Sequence, residues 1–304
     1  MIIKVSDDLK KQEIWANGME LCNIMGMDFI NGKRITSYTS NEKKHVHTFE
    51  NPVLMTDNYK ISKLKPSLRD TLFSLFQSKP RWIEYDGVST YWDETHKKVW
   101  CPSIDTILFA KTLKEFLKNN KNLKTAVEIG SGSGFLSKYI LEKSESIDSL
   151  LAIDFNPNAI KSAMDNIQDS RLNTHCGDAL EKIKGKKFDL IVCNPPYVPR
   201  KGSIDDNPYE GVSLMRYLIQ KGHKYLNKGG VLLINVSSLS WNLVFDEEPK
   251  MKMNILEKME VPLKVNNIMN NKEWIDYLES LGLEKNLKRG YEYWQELNII
   301  EFRN

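Results

Sequence analysis

The chain has 304 residues, and its 41% hydrophobic and 27% charged residues are typical of a folded protein large enough for a substantial core. Its formal net charge of +3 is nearly balanced, so charge alone does not predict a nucleic-acid-binding protein. Four dispersed cysteines without a C-x-x-C pair, no signal peptide and no membrane-spanning apolar run predict a reduced cytoplasmic protein, with no disulfides, no metal and no membrane partner.

Residues 1–100 are predicted to form a smaller α+β accessory domain for substrate recognition, which ends in a β-hairpin. The hairpin is expected within Arg81–Trp100, because Asp86-Gly87 is a two-residue turn signal between strand-like stretches. The aromatic residues of this segment fit a hydrophobic seam between domains better than a surface that stacks on a base. The other predicted elements are a helix at Ser6–Met25, short strands or irregular structure at Asp28–Tyr59, and a helix at Ser67–Gln77.

Residues 101–304 alternate strands with helices, which is the pattern of a doubly wound, mainly parallel α/β sheet. The charged, Met-rich segment Trp241–Asn271 interrupts this pattern and is interpreted as an insertion near the rim of the site. The predicted parallel strands are Thr125–Ile129, Leu151–Asp154, Asn173–Cys176, Asp189–Cys193 and Val231–Val236, and the arms of a C-terminal antiparallel hairpin are Leu287–Trp294 and Leu297–Arg303.

A glycine-rich turn follows the first parallel strand and predicts a cofactor site. Its pattern is E-x-G-x-G-x-G, formed by Glu128, Gly130, Ser131, Gly132 and Gly134, whereas dinucleotide sites have G-x-G-x-x-G. An acidic residue here would repel phosphates but attract an ammonium group. S-adenosyl-L-methionine carries an amino-acid ammonium and no phosphate, so the turn favours this cofactor over NAD.

Acidic residues follow the next two strands and extend the predicted cofactor site. Asp154 can accept hydrogen bonds from both ribose hydroxyls of a nucleoside, and Asp178 can accept one from the adenine amino group. Phe155 and Ala179, their neighbours in sequence, are assigned to the same site. Each of these residues taken alone is also compatible with a helix cap or a turn. The ordered set at successive strand ends favours the binding site.

The fourth strand runs into Asn194-Pro195-Pro196-Tyr197, which is the predicted catalytic segment. Two prolines fix φ and lack N–H groups, so the loop is stiff and presents carbonyl oxygens without competing donors. The Asn194 side-chain oxygen and the Pro195 carbonyl can hold both hydrogens of a planar NH2 group, and Tyr197 offers a flat face. Asn194 also borders the cofactor site. A rigid turn without chemistry is the alternative for the tetrapeptide alone.

With these residues assembled, the chain from about Trp82 to Arg303 resembles the class I S-adenosylmethionine-dependent methyltransferases. Within that class it is most similar to the release-factor glutamine methyltransferases, which carry the same Asn-Pro-Pro-Tyr segment. The similarity extends to the stretch CPSIDT at 101–106, although the match at Asp105-Thr106 is approximate, and to Glu210-Gly211 before a helix. The resemblance implies an N-methyltransferase with a protein substrate.

Other functions stay open from the sequence. The same tetrapeptide serves methyltransferases that modify exocyclic amines of bases in RNA or DNA, which stack the base on an aromatic residue such as Tyr197. A small-molecule nitrogen is a third acceptor, with residues 1–100 as a lid. A scaffold protein that keeps the cofactor fold without catalysis is the non-enzyme alternative, and the intact acidic and glycine set argues against it.

Overall fold

The computed structural model describes residues 2–5, 12–13, 27–30, 33–40, 43–49, 81–92, 99–100, 102, 104–201, 212–263, 271–288 and 291–304. The chain forms two compact units, the first made of Met1–Asp93 and Glu260–Gln295, the second of Glu94–Met259 and Glu296–Asn304. The predicted domain boundary lies near Trp100, and the second unit begins at Glu94. The helix predicted at Ser67–Gln77 lies outside the described residues.

The N-terminal part of the first unit is a seven-stranded sheet with the order β2-β3-β4-β1-β6-β7, in which β5 pairs with β4. The predicted hairpin at Asp86-Gly87 is confirmed: both residues have positive φ, 52° and 79°, as a tight two-residue turn requires. Gln12–Glu13, inside the helix predicted at Ser6–Met25, is instead a strand that pairs with Met27–Ile30, so the helix is wrong at those two residues. The strands are β1 (Ile2–Val5), β2 (Gln12–Glu13), β3 (Met27–Ile30), β4 (Lys33–Ser40), β5 (Lys43–Phe49), β6 (Arg81–Tyr85) and β7 (Val88–Trp92).

The second unit alternates helices and strands, as predicted. A 3₁₀ turn at Gly222–Tyr225 precedes the last parallel strand. The elements are α1 (Ile104–Asn119), β8 (Thr125–Ile129), α2 (Phe135–Lys143), β9 (Ser149–Asp154), α3 (Pro157–Asn166), β10 (Leu172–Cys176), α4 (Ala179–Ile183), β11 (Phe188–Cys193), α5 (Ser213–Lys221), β12 (Leu226–Ser237), α6 (Trp241–Val244) and β13 (Lys252–Pro262).

The remaining elements are α7 (Lys272–Ser280), β14 (Glu284–Lys288) and β15 (Tyr291–Arg303). An antiparallel C-terminal arrangement is confirmed, since β15 pairs antiparallel with both β14 and β12. The predicted arms of the hairpin are wrong, because the turn was placed at the polar pair Gln295-Glu296. These two residues continue β15 without a break, and Gln295 is buried.

Strands β10-β9-β8-β11-β12 lie side by side in this order and are all parallel. The doubly wound, mainly parallel sheet is thus confirmed. Leu190, Ile191, Val192 and Cys193 of β11 are fully buried, as expected of a strand covered on both faces. Apolar residues of β8, β11, β12 and α5 form one continuous core on this sheet. No described helix combines the length and the apolar character needed to cross a lipid bilayer.

Asp189, in the second position of β11, ties the neighbouring strands together at the end of the sheet where β8 and β11 begin. Its Oδ2 accepts from the backbone N of Lys124 at 2.8 Å and of Thr125 at 2.9 Å. Its Oδ1 accepts from Asn227 Nδ2 at 2.7 Å. Burial raises the pKa of Asp189, but the hydrogen bonds from Asn227, Lys124 and Thr125 outweigh burial, and the pKa lies below its ordinary value.

We expect Asp189→Asn to lower the free energy of unfolding by about 1–3 kcal/mol at neutral pH, because two backbone donors lose a charged acceptor. A depressed folded-state pKa contributes stability that is present above the unfolded-state pKa and is lost as pH falls through the folded-state pKa. The difference from wild type should therefore shrink in acid. Urea unfolding at several pH values measures it. Asp148→Asn is the control, since the Asp148 side chain forms an exposed ion pair with Lys124. A difference that does not change with pH would contradict the assignment.

Candidate active site

The parallel register brings the predicted site residues to one edge of the sheet. Ile129, the last residue of β8, lies opposite Ile153 of β9 on one side and Cys193 of β11 on the other. The chain leaves β8 toward β9 on one side and β11 lies on the other, so this is the topological switch point of the sheet, where ligands of such folds bind. The structure therefore brings together the turn after β8, Asp154 and Asn194.

The glycine-rich turn is fixed to the end of β9 by backbone hydrogen bonds. The N–H groups of Gly130 and Ser131 both donate to the carbonyl oxygen of Ile153, at 2.9 and 3.0 Å. Gly134 has a φ of +82°, and a Cβ there would lie 2.9 Å from Cα and Cβ of Ala163 in α3. Glycine is therefore required at Gly134 both by the backbone conformation and by close packing.

Asp154 closes the same turn from the other side. Its Oδ2 accepts from the N–H of Gly132 at 2.9 Å, and its Oδ1 accepts from the N–H of Asn156 at 2.9 Å. Burial raises the pKa of Asp154, although the hydrogen bonds from Asn156 and Gly132 act in the opposite direction. A carboxylate has about four lone-pair sites, so Asp154 can still accept a hydroxyl of a ligand.

Glu128 lies on β8 and is almost completely enclosed. Its carboxyl group accepts a hydrogen bond from the Ser137 hydroxyl of α2. Burial raises the pKa of Glu128 to about 8, with a smaller contribution of the same sign from Asp154. A nearby ammonium group would favour the ionised form. The contact of Glu128 with an ammonium stays a prediction.

Features of the turn other than its acidic residues also indicate a ligand-binding site. The Ser131 hydroxyl is buried and has no hydrogen-bond partner among the described residues. Gly130 and Gly132 both have positive φ and open space where a Cβ would lie. Phe155, with 59% of its surface exposed, is an accessible aromatic ring directly after Asp154. A free buried hydroxyl, open backbone and an exposed ring fit a nucleoside with an amino-acid tail.

Asp178 and Ala179 begin α4, after the end of β10. Asp178 is exposed, and its Oδ1 caps the helix by accepting from the N–H of Glu181 at 3.1 Å. Ala179 is buried in the core. The helix-cap interpretation of Asp178 is therefore realised, and an adenine contact from its other oxygen stays a prediction.

The Asn-Pro-Pro-Tyr segment leaves β11 at the same edge of the sheet. Asn194 is half-buried, and its Nδ2 donates to Oδ2 of Asp105 in the first turn of α1 at 2.9 Å. Its Oδ1 accepts from Nδ2 of Asn235 on β12, also at 2.9 Å. Pro195 is buried and Pro196 half-buried. Tyr197 packs against the apolar core, and burial, followed by the charge of Asp105, raises its pKa well above the ordinary value.

Sequence reasoning missed the roles of Asp105 and Asn235. The sequence marks Asp105 only as an approximate match within the stretch 101–106. Asn235 is an amide in an otherwise apolar strand, between Ile234 and Val236, and a polar residue in such a run is the signal that could have pointed to it.

Comparison with known proteins assigns the fold to a family. The model of the methyltransferase small domain matches residues 104–252. A relative from Methanocaldococcus jannaschii, provisionally named a protein N5-glutamine methyltransferase, is 31% identical over 202 residues, which are 62% of this chain and 97% of that protein. The chain belongs to the class I S-adenosylmethionine-dependent N-methyltransferases.

Two further relatives match over shorter regions. The release factor glutamine methyltransferase of Aquifex aeolicus is 26% identical over 181 residues, 53% of this chain and 63% of that protein. The tRNA1(Val) (adenine(37)-N6)-methyltransferase of Actinobacillus pleuropneumoniae is 27% identical over 135 residues, 43% of this chain and 56% of that protein. This methyltransferase thus spans less than two thirds of both relatives. Its cofactor is S-adenosyl-L-methionine.

The raised pKa of Glu128 predicts how the stability of the folded protein depends on pH. Because its folded-state pKa is raised from 4.5 to about 8, the folded methyltransferase holds a proton that the unfolded chain releases. The resulting stability is fully present below 4.5 and is lost as pH rises through about 8. We expect Glu128→Gln to remove this dependence, so that the variant gains stability relative to wild type across the interval.

Urea unfolding at pH values within and on both sides of that interval measures the effect. Glu142→Gln is the matched control, because Glu142 lies on the same helix as Ser137 but forms a surface ion pair with Lys138. Unfolding free energies of Glu128→Gln and wild type that run parallel at all pH values would show that Glu128 is ionised in the folded protein.

Proposed function

We propose that this methyltransferase transfers a methyl group to the side-chain amide nitrogen of glutamine in a protein. The observation that carries the proposal is the Asn194 carboxamide at the end of β11. Its NH2 group is directed to Asp105, to which it donates one hydrogen bond, and its oxygen keeps a lone pair after accepting from Asn235. Such an oxygen can accept a hydrogen bond from a nitrogen that carries hydrogens, and this nitrogen would receive the methyl group.

The reaction needs an oriented nitrogen more than it needs a base. When bound, S-adenosylmethionine supplies the methyl as an electrophile and keeps the electron pair of the broken C–S bond as S-adenosylhomocysteine. Asn194 Oδ1 and the Pro195 carbonyl accept the two N–H groups and hold the nitrogen in place. They also place negative potential where positive charge develops on that nitrogen. The nitrogen loses one proton to water, which balances the charge.

The remaining site residues have supporting roles in this proposal. Pro196 stiffens the loop, and Tyr197 provides the flat face on which a planar amide lies. The cofactor would be held by the turn Gly130–Gly134, by Asp154 and Phe155, and by Glu128, Asp178 and Ala179 around them. The unpaired hydroxyl of Ser131 and the remaining acceptor capacity of the Asp154 carboxylate support this placement.

Relatives favour glutamine in a protein as the acceptor. The M. jannaschii relative is matched over nearly its whole length and is named for protein glutamine. A base amine in RNA is the second candidate, since the A. pleuropneumoniae relative is named for adenine in a tRNA. Both acceptors present a planar nitrogen with hydrogens, so the tetrapeptide serves either. A cytoplasmic location is part of the proposal and agrees with the free thiols of Cys176 and Cys193.

Methyl transfer from labelled S-adenosylmethionine separates the two acceptors. The purified protein is incubated with a release factor and with tRNA, each alone, and the label is followed. We expect label in protein, and mass spectrometry should place it on a glutamine that loses labelling when changed to asparagine. Label in tRNA alone would contradict the protein substrate.

Variants of the two halves of the site should separate catalysis from cofactor binding. Asn194→Ala removes an acceptor that acts on the reacting nitrogen, so kcat should fall by about 10²-fold or more while the Kd for S-adenosylmethionine stays within several-fold. Asp154→Ala removes the predicted ribose acceptor and should weaken cofactor binding. Calorimetry and steady-state kinetics measure both. Unchanged turnover in Asn194→Ala, or unchanged cofactor affinity in Asp154→Ala, would each remove the corresponding assignment.

A further inference from the structure

Asn194 lies in a chain of three side chains joined by hydrogen bonds. Asp105 at one end accepts from the Asn194 NH2, and Asn235 at the other end donates to the Asn194 oxygen, with both distances 2.9 Å. The three residues come from α1, from the end of β11 and from β12. The orientation of the Asn194 carboxamide is therefore set by two elements other than its own.

A carboxamide has a donor end and an acceptor end of nearly the same shape, so its partners decide which end points where. Three amides in a row would be satisfied equally well in either direction. An ionised carboxylate accepts hydrogen bonds and has none to donate. With Asp105 at one end, only the direction in which the Asn194 NH2 points to α1 is satisfied.

Asn235 is a buried polar residue in an otherwise apolar stretch of β12. It is fully buried on β12, yet its Oδ1 has no hydrogen-bond partner within the described part of the chain. An unpaired buried acceptor destabilises a fold, and an apolar residue of similar shape would avoid this. Ile234 and Val236 beside it are apolar. The hydrogen bond that Asn235 Nδ2 donates to Asn194 Oδ1 is the contact that this side chain makes toward the site.

We propose that Asp105 and Asn235 are positioning residues that fix the direction of the Asn194 carboxamide, so that its oxygen rather than its NH2 faces the acceptor nitrogen. The inference rests on the methyl transfer proposed above and deepens it. An oxygen in that place selects acceptors with N–H groups, such as primary amides and exocyclic amines, and rejects ring nitrogens that have no hydrogen.

The double variant Asp105→Asn/Asn235→Asp tests the direction itself. It keeps the same formal charge and nearly the same shapes but exchanges the carboxylate and the amide, so the hydrogen bonds are satisfied only when Asn194 is reversed. We expect kcat to fall by about 10²-fold, with the Kd for S-adenosylmethionine within about threefold of wild type. Equal kcat in a folded double variant would overturn the proposal.

A second pair of variants decides the question if the carboxylate that Asn235→Asp buries in β12 prevents folding. Asn298 on β15 is also buried with an unpaired Oδ1, but its Nδ2 donates to the Val236 carbonyl oxygen at 3.4 Å. Asn235→Leu and Asn298→Leu should both fold. We expect only Asn235→Leu to lower kcat, by about tenfold and without a change in the Kd for the cofactor. Equal kcat in the two variants would overturn the proposal.

The readouts also separate this inference from the proposed substrate. If the wild type labels tRNA and not glutamine, the proposed substrate is wrong, while the double variant should still lose kcat on tRNA, because adenine also presents an N–H. If the wild type labels glutamine and the double variant does so equally fast, the proposed function stands and the positioning role is wrong.

Discussion

The hydrogen bond from Asn194 Nδ2 to Asp105 Oδ2 is the interaction on which the chemistry of this site depends. A carboxamide can offer a neighbour either hydrogens or lone pairs, and a carboxylate partner removes the ambiguity. With the NH2 group directed to Asp105, the oxygen lies at the other end of the carboxamide and keeps one lone pair for a substrate after accepting from Asn235. In the proposed reaction, this oxygen and the Pro195 carbonyl favour a nitrogen that carries hydrogens and place negative potential around it.

The parallel sheet places the glycine-rich turn after β8 next to the Asn-Pro-Pro-Tyr segment after β11. Parallel pairing aligns Ile129 with both Ile153 and Cys193, so the turn and the catalytic segment start from the same level. Asp154 then binds the turn through the N–H of Gly132. At the opposite end of the sheet, the carboxylate of Asp189 holds the beginnings of the strands in register. The carboxylates of Asp154 and Asp189 thus stabilise the two ends of the sheet, and the carboxylate of Asp105 orients the Asn194 carboxamide.

Local features of this chain were predictable, and long-range ones were not. The strand Thr125–Ile129 was predicted with the bounds it has, because an apolar run meets a glycine-rich turn. Asn235 contacts a residue 41 positions away and Asp105 one 89 positions away. The periodic pattern of apolar residues in a sequence does not indicate contacts between residues so far apart in the chain. The predicted arms of the C-terminal hairpin leave Gln295-Glu296 between them, whereas both residues continue β15 and Gln295 is buried.

A crystal structure with S-adenosylhomocysteine and a glutamine-containing peptide would show which end of the Asn194 carboxamide binds the methyl acceptor. We expect the glutamine amide nitrogen to lie within hydrogen-bonding distance, about 2.7–3.2 Å, of Asn194 Oδ1, while Asn194 Nδ2 stays on Asp105. A complex in which the glutamine carbonyl meets the Asn194 NH2, or in which Asn194 leaves Asp105 and does not contact the acceptor, would contradict it.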